Sequence, residues 1–173
     1  MISIICGTNR TDAISFGITK TYQEALEELG AKTNLINLAD LPPDFAFSAL
    51  YENEGKNKQF NTFREQMQIS AKFVFIVPEY NGSFPGVLKT FIDGLAYPYT
   101  FRNKKSALVG VASGGQGASL ALSHLTDVLN HCGTHVVAYK PRLIKIDDHF
   151  ENCTLSERYA LQLKKQAQML IEF

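Results

Sequence analysis

Tryptophan is absent from the 173 residues, and cysteine, methionine and proline are scarce at three, three and six copies. Cys6, Cys132 and Cys153 are far apart and odd in number, and no C-x-x-C pair occurs. A disulfide framework and a cysteine-based metal centre are therefore excluded, and buried reduced thiols are expected. Charge of one sign is also lacking: 17 Lys and Arg balance 17 Asp and Glu. Like charges run no longer than pairs such as Lys104-Lys105 and Lys164-Lys165, which argues against a nucleic-acid partner. No apolar run approaches the ~20 residues that span a bilayer. Met1-Ile2-Ser3-Ile4-Ile5-Cys6 has no basic n-region and runs into Gly7, so it reads as a strand and not as a signal peptide. A cytoplasmic chain with no membrane partner is expected.

What is present is a regular alternation. The length fits one domain with a single large core, here residues 1–173. Ile2–Cys6 is a short apolar run. Ile18, Tyr22, Ala25, Leu26 and Leu29 then recur at helical spacing, and Gly30 suits the helix end. Thr33–Leu38 predicts a second strand, and Phe60, Phe63 and Met67 mark one face of the next helix. Phe73-Val74-Phe75-Ile76-Val77 has no polar alternation, which implies burial on both faces, as in the middle of a parallel sheet. Ala107–Ala112 and Thr134–Tyr139 predict the fourth and fifth strands, with a helix between them ending at Gly133. Thr154-Leu155-Ser156-Glu157 has the capping-box pattern and predicts the start of a last helix. Its expected apolar face is Leu155, Tyr159, Leu163, Ala167 and Leu170.

Five strands separated by helices define an α/β, doubly wound parallel sheet, flavodoxin-like, of expected order 2-1-3-4-5 with helices on both faces. That order places a ligand crevice at the carboxyl ends of strands one and three. The rule singles out three loops: Gly7–Ser15, Pro78–Pro85 and Ser113–Gly117. They are also the three segments of unusual composition.

The first loop offers hydroxyls (Thr8, Ser15), one guanidinium (Arg10) and the amides of a helix N-terminus, a set that suits a phosphate. It lacks both G-x-x-x-x-G-K-[ST] and G-x-G-x-x-G, so neither an NTPase cradle nor the usual dinucleotide fingerprint is present. A solvated turn whose Ser or Thr caps the helix is the plainer alternative. In the second loop Tyr80 supplies an aromatic face, and Asn81-Gly82 predicts a tight turn with exposed N–H groups. A flat heteroaromatic ring wants such donors at its edge and an apolar cover. The third loop, Ser113-Gly114-Gly115-Gln116-Gly117, lets backbone approach a ligand closely.

Pro78-Glu79-Tyr80-Asn81-Gly82-Ser83, followed by Pro85-Gly86-Val87-Leu88-Lys89 and Asp93, resembles the signature of the NADPH-dependent FMN reductase family, which includes chromate and quinone reductases and related azoreductases. Gly7, Thr8 and Arg10 resemble the family's phosphate-loop pattern, and the similarity extends to about residue 140. The resemblance implies FMN as cofactor, with NADPH or NADH as co-substrate. Its phosphate would lie on Thr8, Arg10 and Ser15. Its ring would lie along Pro78, Glu79, Tyr80, Asn81 and Gly82, beside Ser113, Gly114, Gly115 and Gln116. It also implies ping-pong hydride transfer to a small acceptor such as a quinone, flavin, azo compound or metal oxyanion, and a homodimer or homotetramer. Departures from the pattern are Ala13 where a Ser is frequent, Gly94 after Asp93 where Trp is common, and Gln116 where a basic residue is frequent.

The flavin carries the hydride chemistry in such proteins, so no acid–base dyad is assigned. Glu79 reads as a local hydrogen-bonding residue, Lys89 and Asp93 as a pair across one helical turn, and His124 and His131 as packing or surface groups without a third metal ligand. Tyr97–Phe101 suits an acceptor pocket, a subunit interface or a core-capping loop equally well. Three rivals share the fold or cofactor. A flavodoxin-type electron carrier is typically acidic, unlike this chain. A receiver domain needs a carboxylate cluster at strands one and three, which end here at Cys6-Gly7 and Val77-Pro78. A flavin-binding protein without turnover is the third.

Overall fold

The computed structural model describes all 173 residues. Strand β1 (Ile2–Cys6) leads into helix α1 (Ile14–Glu28), and β2 (Thr33–Asn37) follows. A 3-10 turn at Leu38–Asp40, the one-turn helix α2 (Phe45–Ser48) and a second 3-10 turn at Tyr51–Asn53 connect to α3 (Lys58–Ile69). Then come β3 (Lys72–Pro78), α4 (Gly86–Asp93), β4 (Lys105–Val111) and α5 (Ser119–His131). The last part holds β5 (His135–Val136), β6 (Arg142–Leu143), a 3-10 turn at Ile146–Asp148, a hairpin of β7 (Phe150–Glu151) and β8 (Thr154–Leu155), and α6 (Glu157–Glu172).

The sheet runs β2-β1-β3-β4-β5, with every neighbouring pair parallel, as the sequence predicts. In the register, Ile4 lies opposite Val74 and Val74 opposite Ala107. Strand residues point alternately to opposite faces, so the unbroken apolar run of β3 feeds two cores. Phe73, Phe75 and Val77 join Ile5 and Leu108 under α3, α4 and α5. Val74 and Ile76 join Ile4 and Val109 under α1 and α6. The first core is aromatic, with Phe60 stacked on Phe45 at 5.5 Å and edge-on to Phe91 at 6.0 Å. The second is aliphatic apart from Tyr22 and Tyr159.

Two expectations are corrected. The fifth strand is not Thr134–Tyr139: only His135 and Val136 pair with β4, and the chain returns to the same edge as β6, opposite Gly110 and Val111. Pro141 has no N–H to give a ladder. Gln166 of α6, wholly buried, fills the gap with its side-chain amide. Its Nε2 donates to the carbonyls of Leu108 (2.9 Å) and Tyr139 (2.6 Å), and its Oε1 accepts from the Tyr22 hydroxyl (3.1 Å). The capping box is also displaced. Thr154 and Leu155 belong to the β7–β8 hairpin, and Ser156 is the N-cap of α6. The Ser156 hydroxyl does not cap the helix because it is paired with His149 Nδ1 at 3.2 Å. The apolar face of α6 is otherwise as expected, with Tyr159, Leu163, Ala167 and Leu170 buried.

Candidate active site

A cleft of about 450 Å3 opens at the carboxyl ends of β1, β3 and β4, where the strand order reverses. All three loops singled out by the sequence contribute to its wall.

The first loop leaves β1 at Gly7, whose N–H donates to the Ile76 carbonyl at 2.9 Å. A Cβ at Gly7 would lie 2.8 Å from that carbonyl oxygen, so a side chain here would push the loop off β3. Thr8 is wholly buried beneath the loop and not on the cleft wall. Its hydroxyl accepts from the Arg10 N–H (3.1 Å) and pairs with the Tyr80 hydroxyl (2.7 Å), tying the first loop to the second. Arg10 and Ser15 do line the cleft. Helix α1 begins after Ala13, which offers no side-chain cap. Neither Ser15 nor Thr8 caps it, so the capping role in the plainer reading is not seen. No backbone N–H from Thr11 to Ser15 donates within the protein. The site therefore has the free donors and partial positive charge of a helix start, beside a guanidinium with no acidic partner.

The second loop is a tight turn. Tyr80 and Ser83 exchange backbone hydrogen bonds of 2.8 and 3.1 Å, and Asn81 and Gly82 both have positive φ, 51° and 75°. That is the type I′ geometry for which Asn-Gly is preferred. The amides of Asn81 and Gly82 have no acceptor in the protein. Pro78, Glu79, Tyr80 and Asn81 line the cleft, whereas Gly82 sits at the turn's tip off the wall. The Glu79 carboxylate makes no local hydrogen bond. Its backbone N–H anchors the loop instead, donating to the Val111 carbonyl at 3.2 Å. The turn is braced from outside by His124 of α5, whose Nδ1 lies 2.9 Å from the Ser83 hydroxyl.

The third loop brings Ser113, Gly114, Gly115 and Gln116 to the cleft. A Cβ on Gly114 or Gly115 would meet nothing within 4 Å, so their backbone is open to a ligand. The base of the loop is tight: a Cβ at Gly110 would lie 2.4 Å from the Gly117 carbonyl oxygen. Gly117 (φ 59°) and Ala118 (φ 58°) both adopt the left-handed conformation, which turns the chain from β4 into α5.

The cleft also includes residues that the sequence did not single out. Asp12 and Ile14 come from the first loop, beside Ala13 already noted there, and Val111 and Ala112 from the end of β4. Ile146 and Asp147 come from the 3-10 turn after β6, which forms an additional wall. No sequence signal marked that turn, since it lies past the strands that define the crevice. Lys89 and Asp93 pair on α4 at 2.7 and 2.9 Å, away from the cleft. His131 stacks on Tyr97 at 6.2 Å, and no three His, Cys, Asp or Glu side chains are grouped to hold a metal. Burial pushes the thiols of Cys6 and Cys132 above their ordinary pKa, and all three cysteines are free.

A doubly wound sheet with a donor-lined crevice at its switch point defines a nucleotide-cofactor-binding α/β protein. Residues 1–142 match the family model of NADPH-dependent FMN reductase, and the chain belongs to that family. It is similar to a 2-hydroxy-1,4-benzoquinone reductase of a Burkholderia species, 25% identical over 85% of this chain and 79% of that protein. It also resembles a quinone reductase of Pseudomonas putida, 28% identical over 70% of this chain and 66% of that one. Among solved structures, the flavoenzyme NAD(P)H:(acceptor) oxidoreductase FerB of Paracoccus denitrificans superposes with a TM-score of 0.78 at 24% identity, covering 99% and 94% of the two chains. By family the chain is an oxidoreductase that uses FMN and a nicotinamide co-substrate. The residues present fit FMN: open amides and a guanidinium suit its phosphate, and two uncrowded glycines leave space beside its ring. No helix is long and apolar enough to cross a membrane.

Proposed function

We propose that this cleft holds FMN and that the protein passes reducing equivalents from NAD(P)H to a small quinone. The donor set carries the reading: unpartnered N–H groups from Thr11 to Ser15 beside Arg10, facing a turn whose Asn81 and Gly82 amides are also free. Arg10, Ser15 and the first turn of α1 would hold the phosphate. Pro78, Glu79, Tyr80, Asn81 and the Gly82 amide would border the ring on one side, and Ser113–Gln116 on the other. Thr8 acts from below by fixing Tyr80 through their 2.7 Å contact. Bound there, FMN supplies the hydride chemistry, and the protein supplies position and electrostatics. The free Asn81 amide would favour negative charge on the ring of a bound flavin. Quinone is the acceptor class that the two relatives' names support.

Three further readings go with it. Residues 1–173 act as one unit, supported by α6 packing on the same sheet as α1. The chain works as a homodimer, supported by Tyr97, exposed on the wall of a hollow of about 500 Å3, and by the exposed Tyr99 two residues on. It works in the cytoplasm, supported by three free cysteines. Light scattering after gel filtration tests the dimer, and a monomer mass would end that reading.

The main test is the visible spectrum after adding FMN, followed by anaerobic NADPH or NADH and then a benzoquinone. Bleaching within seconds and recovery with quinone are expected. Arg10→Ala should weaken FMN about 10–100-fold, the equivalent of losing one charge-assisted hydrogen bond of ~1.5–3 kcal/mol. Absence of FMN binding by the unaltered protein would overturn the reading.

A further inference from the structure

Three lysines are half-buried, and burial lowers the pKa of each ammonium: Lys72, Lys104 and Lys140. Two have an evident purpose. Lys72 donates to the carbonyls of Leu170 (2.7 Å) and Ile171 (2.8 Å) near the end of α6. Lys104 donates to the Met67 (3.4 Å) and Gln68 (3.0 Å) carbonyls at the end of α3. Both cap helix C-termini, where a cation meets unpaired carbonyls and the negative end of the dipole. Lys140 has no acceptor and no ion-pair partner, and neither has its neighbour Arg142.

Lys140 lies in the gap between β5 and β6, Arg142 is the first residue of β6, and both line a groove of about 380 Å3 on the sheet edge. The opposite wall is α5, which presents the hydroxyls of Ser119, Ser123 and Thr126 at successive turns. The Thr126 hydroxyl is engaged with the Leu122 carbonyl at 2.6 Å, while those of Ser119 and Ser123 are free. Asp127 is the groove's one carboxylate, against two cations. A guanidinium fork, an ammonium and two hydroxyls converging on one hollow suit a tetrahedral dianion with several acceptor oxygens.

The groove and the cofactor cleft are two sides of one loop. Gln116 faces the cleft, and its carbonyl accepts from the N–H of Ser119, which faces the groove, at 3.3 Å. Arg142 packs directly behind Gly117, where a Cβ would come within 2.6 Å of the Arg142 Cβ. We propose that this groove binds a phosphomonoester, and that the 2′-phosphate of NADPH is the group it takes. The choice of NADPH as source rests on the reading of the cleft given above. Lys140 and Arg142 supply the cations from behind the third loop.

The test is calorimetric titration of the full chain, with and without FMN, using adenosine 2′-monophosphate, adenosine and inorganic phosphate. Binding of adenosine 2′-monophosphate is expected, with at least tenfold loss in Lys140→Met/Arg142→Leu and retention in the charge-keeping Lys140→Arg/Arg142→Lys. Asp127→Asn should tighten it severalfold. In turnover, the Met/Leu pair should lower the NADPH-over-NADH ratio of kcat/KM at least tenfold. Inorganic phosphate binding as tightly as the nucleotide, with that ratio unmoved, would keep the anion site and overturn NADPH as its source. Adenosine 2′-monophosphate that fails to bind, or binds the Met/Leu pair equally well, overturns the proposal. These titrations need no flavin, so failure of FMN to bind would count against the cleft and not the groove.

Discussion

The centre of the sheet and its edge at β5 and β6 are built by different means. Strands β1, β3 and β4 form continuous ladders, with Ile4, Val74 and Ala107 side by side and wholly buried. Their positions follow from backbone pairing and apolar burial alone. The edge has two dipeptide strands, and a glutamine from another element holds the gap between them. A ladder distributes its stability over many similar contacts, whereas the edge depends on a few groups with no substitutes. Both feed the cleft: the centre supplies the three loops, and the edge supplies the wall at Ile146 and Asp147.

Substitutions at the two places should therefore fail differently. Phe75→Ala removes a wholly buried ring from the centre and should cost about 3–5 kcal/mol in denaturant unfolding, loosening all amides together. Gln166→Leu keeps the volume but leaves the Leu108 and Tyr139 carbonyls without a donor. It should cost about 2–3 kcal/mol, with hydrogen exchange quickening between residues 137 and 143 and hardly in β3. Equal quickening in both would show that edge and centre open as one. Alkaline pH probes the same clasp more gently. Burial raises the pKa of Tyr22 and of Cys6 above their ordinary 10.0 and 9.0, so the unfolded chain ionises first. Stability is then full below those ordinary values and falls as pH rises past them, by up to about 1.4 kcal/mol per pH unit for each group. Tyr22→Phe should remove its share of that slope in unfolding midpoints measured from pH 8 to 11. Lys89→Ala breaks only a solvent-exposed pair one helical turn apart and should change stability by no more than about 0.5 kcal/mol.

The same division explains what could be read from the sequence. Phe73–Val77 announced a central strand because burial on both faces leaves no room for polar alternation. The strand order and the three cleft-forming loops followed from it. The β-branched run at Thr134–Tyr139 announced a strand of ordinary length, but what limits it is Pro141 and a glutamine 27 residues after Tyr139, and no local pattern encodes that long-range bond. Thr154–Glu157 had the spacing of a capping box, yet His149 takes the Ser156 hydroxyl and the hairpin takes Thr154. At the site, Asn81-Gly82 announced its turn because few other pairs adopt two positive φ angles. Thr8 was legible as a loop residue but not as the support of Tyr80, a contact spanning 72 positions. Asp147 gave no signal because only the return of the chain as β6 brings it to the cleft.

Gln166 also sets an order of events during synthesis. The segment that matches the family ends at residue 142, and the side chain that closes its sheet edge leaves the ribosome more than twenty residues later. Until α6 docks, the Leu108 and Tyr139 carbonyls face solvent on an unfinished edge, which is the kind of surface that pairs with another chain. The nascent protein is thus exposed to mispairing for as long as Gln166 has yet to dock against the Leu108 and Tyr139 carbonyls. Light scattering of released chains truncated before α6, set against the full chain, would record that liability directly.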